Sequence, residues 1–118
     1  MLFLGLELNA QQLQLALLKY NGGGDWYANL ETSLPNLAKF ANKTLDMNVS
    51  TEQAIVDPST EELFNYPYLH LTGHGNVVFS LTEIENLRTY MLGGGFLHID
   101  DNYGMDEFIR IQLERIFP

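Results

Sequence analysis

The sequence predicts an α/β fold, a three-layer sandwich built on a mostly parallel sheet, and three observations carry that reading. Short apolar runs alternate with segments whose apolar residues recur at helical spacing. Three of the apolar runs stop at a polar cluster: residues 21–27, 72–76 and 100–104. Between the second and third of these lies Ser80-Leu-Thr-Glu83, a spacing that closes a capping box and starts a helix. Strand, helix, strand, helix in this order implies crossover connections and a sheet covered on both faces.

The elements follow in order. Residues 13–20 form an apolar run too short for an ordinary helix and ended by Gly22-Gly23-Gly24, which predicts a buried strand. Ser33 caps a helix with Pro35 in its first turn; Leu34, Leu37, Phe40, Ala41 and Leu45 make the face expected to cover the sheet. Residues 49–56 are a second strand, continuously apolar only at Ala54-Ile55-Val56 and stopped by Asp57-Pro58. Ser59 and Glu62 have capping spacing for a short helical turn that Tyr66-Pro67 breaks. Residues 68–72 are the third strand and deliver the turn Gly73-His74-Gly75. Behind the capping box, Leu81, Ile84, Leu87 and Met91 repeat at helical spacing until Gly93-Gly94-Gly95. Residues 96–99 are expected as a central strand, and Asp106 caps a last amphipathic helix through Phe108, Ile111 and Ile116.

A chain of 118 residues has the size of one modest domain. Residues 12–118 are that domain, and no run approaches the ~20 apolar residues of a membrane span. A hydrophobic fraction of 46% argues for a packed core rather than disorder. The formal net charge of −9, with six scattered basic residues, argues against nucleic acid, whose phosphates are bound by clustered Lys and Arg. With no cysteine, the chain has no disulfide framework, no thiolate zinc site and no thiol nucleophile. Residues 1–11 read as the apolar core and small-residue exit of a signal peptide lacking its basic start. That predicts an exported, periplasmic protein; an extra edge strand or helix turn in a cytoplasmic protein is the alternative.

The segments Leu-Lys-Tyr-Asn-Gly-Gly-Gly-Asp-Trp-Tyr (18–27), Tyr-Leu-His-Leu-Thr-Gly-His-Gly (68–75), Glu-Asn-Leu-Arg-Thr-Tyr-Met-Leu-Gly-Gly-Gly-Phe-Leu (85–97) and Asp-Asp-Asn-Tyr-Gly (100–104) together resemble one bacterial family, DUF4159. The resemblance covers residues 15–118. It implies a flavodoxin-like sandwich similar to class I glutamine amidotransferase domains, export in many members and no established activity. Family members continue past the last helix, which implies that this chain is C-terminally truncated. The amidotransferases use a cysteine at a strand-to-helix elbow, and this chain has none.

If the strands are parallel, the three polar clusters meet outside their carboxyl ends, where open α/β sheets bind ligands. The candidate ligand-binding residues are Gly23, Gly24, Asp25, Trp26, Tyr27, Gly73, His74, Gly75, Asp100, Asp101 and Tyr103. Gly23 and Gly24 serve either an anion cradle or a tight strand exit needing positive φ; no Lys-Ser/Thr follows, which favours the exit. Asp25-Trp26-Tyr27 reads as a surface for a sugar ring or peptide, or as a Trp lid over the core. His74 sits between two glycines with little cover, which favours function. His70 and His98 lie within strands and read as hydrogen-bonded structural residues. Asp100 and Asp101 point to opposite sides of one strand, so one is free to cap the following helix.

His74 with Asp100 and Asp101 is an oxygen-rich set for a cation or for acid and base work, though without a second histidine it makes a weak metal motif. Two functions are compatible with these residues. One is a noncatalytic extracytoplasmic binding or assembly module for a small molecule or protein. The other is a metal-assisted or acid/base hydrolase using His74 with Asp100 and Asp101, with Asp25 nearby. No cofactor is specified by the sequence.

Overall fold

The computed structural model describes residues 12–118; the segment on which the signal-peptide expectation rests lies outside the described residues. The elements run β1 (Ala16–Leu18), α1 (Ser33–Thr44), β2 (Ala54–Val56), a 3-10 turn (Glu61–Asn65), β3 (Tyr68–His74), α2 (Leu81–Leu92), β4 (Phe96–Tyr103) and α3 (Asp106–Ile116). All strand pairs are parallel and the order is β2-β1-β3-β4, so the fold is the predicted α/β sandwich of flavodoxin-like type.

The helices divide between the two faces because side chains alternate along each strand. Ala16, Leu18, Val56, Leu69 and Leu71 point to the face where Ile84 and Leu87 of α2 and Ile109 and Ile116 of α3 complete the larger core. Leu15 and Leu17 point the other way, against Leu34 and Ala38 of α1. The helix starts differ in their caps: α1 begins after Thr32 with no side-chain cap, so Ser33 is the first helical residue and not the cap its position implied. Ser80 and Glu83 form a reciprocal capping box at α2, with Glu83 Oε1 accepting from Ser80 N at 2.7 Å. The 3-10 turn is capped by Thr60, while the Asp57 carboxylate takes up Ser59; Ser59 is therefore not the cap its spacing implied.

Two expectations are corrected. On α1 the buried positions are Leu34 and Ala38, whereas Leu37, Phe40 and Leu45 are exposed. A helix beside two short strands has only a narrow stripe of sheet to cover. β4 is an edge strand among the described residues, not a central one. Its Leu97 and Ile99 pack toward the larger core, while Phe96, His98 and Asp100 are exposed on the opposite side. Its apolar sequence resembles a buried strand because one face is covered and paired strand length is long. No helix among the described residues is long and apolar enough to cross a membrane.

Candidate functional site

In a sheet ordered β2-β1-β3-β4, the chain leaves β1 in one direction along the sheet and β3 in the other. The carboxyl ends of these neighbours frame the switch point of the fold. The loop after β1 carries Asp25 and the end of β3 carries His74, residues separated by 49 positions in sequence. They meet through a double contact. The Asp25 carboxylate accepts the His74 backbone N–H at 2.5 Å through Oδ1 and lies 2.9 Å from His74 Nδ1 through Oδ2.

Local backbone geometry brings them together. Gly24 N–H donates to the Asn76 carbonyl at 3.0 Å and Val78 N–H to the Asn21 carbonyl at 2.8 Å, so residues 21–24 run against residues 76–78. A side chain at Gly24 would place its Cβ 2.7 Å from the Asn76 oxygen, which is why the approach requires glycine. The Gly24 N–H is thereby committed to the protein. Beneath the loop, Tyr20, two residues past the end of β1, donates its hydroxyl to the Thr72 carbonyl at 2.9 Å. Burial, and secondarily the charge of Asp25, push the Tyr20 phenol up to about 12, so it remains a neutral donor. Tyr20 is part of this site although sequence periodicity marks it only as the last residue of an apolar run.

Electrostatics at Asp25 oppose one another. Burial raises its pKa, but the hydrogen bonds from the His74 backbone and imidazole, with the nearby His74 charge, outweigh that and hold it below the ordinary carboxylate value. Asp25 is ionised at neutral pH. The carboxylate accepts from the Nδ1 side of the ring, and His74 Nε2 makes no hydrogen bond among the described residues. The imidazole is half exposed, at 52%, against 31% for the carboxylate, so the pair sits on an open shelf. A cavity of about 560 Å³ lined by Phe64, Tyr66, Tyr90 and Gly93, Gly94 and Gly95 lies at the other, amino end of β3 and β4.

The remaining predicted residues divide. Gly73 and His74 pair in register with Asp101 and Tyr103, which brings the third cluster to the same rim. A Cβ at Gly104 would lie 4.0 Å from Gly75 N, and Tyr103 is 81% exposed beside them. Asp101, however, accepts from Met105 N at 2.9 Å and Asp106 N at 3.1 Å. It is the cap of α3. The Asp106 carboxylate instead pairs with Arg110. Asp100 lies on the exposed face of β4, and neither it nor Asp101 hydrogen-bonds His74. The cation set of His74, Asp100 and Asp101 is not assembled; among the described residues no three His, Asp or Glu side chains gather as metal ligands. Trp26 packs against both cores with Lys19 Nζ 5.8 Å from its ring centre, while Tyr27 meets it edge-on and is 56% exposed. Of the aromatic pair, only Tyr27 offers most of its ring to solvent.

The sign of the Asp25 shift fixes a pH dependence. A carboxylate that ionises more readily folded than unfolded contributes stability in full above its unfolded pKa of about 3.9 and loses it as pH falls through the folded value. The melting temperature of the parent is expected to fall more steeply than that of Asp25→Asn between neutral pH and pH ~3. Parallel acid limbs would show that Asp25 carries no such linkage.

Fold and site define the class: a flavodoxin-like α/β domain with an Asp–His pair at its switch point. The model of the domain of unknown function DUF4159 matches residues 14–118, and the chain belongs to that family. Comparison with curated proteins finds no match.

Proposed function

We propose that Asp25 and His74 form an acid/base pair of a hydrolase whose extended ligand lies across the carboxyl rim of the sheet. The observation that carries this reading is the 2.9 Å contact between His74 Nδ1 and the Asp25 carboxylate. Ionised Asp25 holds the Nδ1–H and orients the ring. The outward Nε2 removes a proton from water as the oxygen attacks an ester or amide carbonyl. The resulting imidazolium, paired with Asp25, returns that proton to the departing oxygen or nitrogen. Asp25 replaces Asp100 and Asp101 as the carboxylate partner, and water replaces a protein nucleophile. Exposed Tyr27 and Tyr103 flank the shelf and supply flat surfaces for a polymeric ligand such as a glycan or peptide chain. An extracytoplasmic setting belongs to the same proposal and rests on the sequence of residues 1–11.

A second reading, a noncatalytic binding module, is favoured by one observation. The same carboxylate bonds the His74 backbone N–H, an interaction that locks the β1 and β3 loops irrespective of chemistry. Chromogenic esters and anilides separate the two. Hydrolysis by the parent should fall by an order of magnitude or more in His74→Gln and Asp25→Asn. Absence of turnover in the parent, or turnover equal in His74→Gln, overturns the hydrolase and leaves the binding module.

A further inference from the structure

We propose that Tyr68, His70 and His98, on the face of β3 and β4 opposite the larger core, form a binding site for a tetrahedral divalent cation, zinc in the first instance. The site is separate from the rim. His70 lies four residues before His74 on the same strand, about 13 Å along it. It therefore stands independently of the hydrolase reading.

Strand register creates the cluster. His70 pairs with His98 and Tyr68 with Phe96, so the two imidazoles are direct neighbours and Tyr68 reaches His98 on the diagonal. His70 Nδ1 lies 3.2 Å from His98 Nδ1, and Tyr68 Oη lies 2.7 Å from that same His98 nitrogen. Two nitrogens bound to one zinc ion at about 2.0–2.1 Å in tetrahedral geometry are separated by about 3.3 Å. The observed spacing is close to that bite.

Hydrogen bonding alone fits this convergence poorly. An imidazole nitrogen has either one lone pair or one N–H. If His98 Nδ1 is the acceptor, Tyr68 O–H and His70 N–H compete for a single lone pair; if it is the donor, one hydrogen must serve two acceptors. A cation between the nitrogens uses the lone pair of each, and the Tyr68 oxygen turns toward the same centre. His70 Nε2 is buried without a partner in either case. His98 is exposed, leaving room for water to complete the coordination. Asp100, two residues along the same face, adds negative charge that acts on both His70 and Tyr68. Two imidazoles, a phenol oxygen and water suit zinc better than magnesium or calcium, which favour all-oxygen sets.

The test is equilibrium binding of Zn²⁺ to the metal-stripped full chain, with Co²⁺ as the spectroscopic probe and melting temperature in parallel. The expected result is one ion per chain, visible Co²⁺ bands of tetrahedral type and a raised melting temperature. His98→Gln, an exposed change, should weaken binding by about tenfold or more, Tyr68→Phe by less, and His74→Gln not at all. Circular dichroism of His98→Gln keeps loss of fold distinct from loss of a ligand. Absence of stoichiometric uptake by the parent overturns the site, as does uptake unchanged in folded His98→Gln or abolished by His74→Gln.

Discussion

Gly73→Ala is expected to destabilise the domain by about 3–5 kcal/mol, from a strained backbone together with overpacking. Gly73 has φ +147°, where L side chains are rarely found, and its missing Cβ is the space into which the Tyr20 hydroxyl fits. An added methyl would fall onto that hydroxyl and stand 2.9 Å from the Asp25 carbonyl. It would also break the floor of the site, since Tyr20 holds β1 to the Thr72 carbonyl and Asp25 contacts the very next residue, His74. Both the melting temperature and any activity at the rim should fall. The coupling is checked with Tyr20→Phe: removing the hydroxyl costs about 1–3 kcal/mol alone by leaving the Thr72 carbonyl unpaired. The double variant should lose less than the sum of the two. An unfolding free energy for Gly73→Ala within about 1 kcal/mol of the parent, from chemical denaturation, would show that the backbone relaxes freely here.

The same residues show how far sequence reaches. Glycine stops and the Ser80–Glu83 box are local signals, so the alternation of strands and helices and the location of the rim were legible. What joins Asp25 to His74 is not local. Their contact exists because β1 and β3 are neighbours, and strand order is a property of crossover connections that periodicity does not encode. Asp101 illustrates the reverse case: two consecutive carboxylates read as a functional pair, and one is consumed by orphan N–H groups at the start of α3. The His70–His98 pair was invisible for the same reason as the Asp25–His74 pair. Each histidine alone reads as a structural residue, and only parallel register sets them side by side.

Helix α2 carries one buried and one exposed leucine of the same helical periodicity. Leu87→Ala should destabilise by about 2–5 kcal/mol and Leu81→Ala by no more than about 0.5 kcal/mol. Both leucines satisfy the helical periodicity that predicted a buried face, yet Leu87 is fully buried and Leu81 is 76% exposed. The difference arises from position in the first turn. Leu81 follows the Ser80 cap directly, while Ile84, Leu87 and Tyr90 lie where α2 crosses the sheet. Truncating Leu87 removes apolar surface from water-free surroundings and leaves a cavity among Ile84, Leu69, Leu71 and their neighbours that close packing cannot refill without strain. Truncating Leu81 removes a side chain that water already reaches. Equal losses for the two variants, measured by chemical denaturation, would mean that periodicity and not the observed packing governs which leucines hold this helix to the sheet.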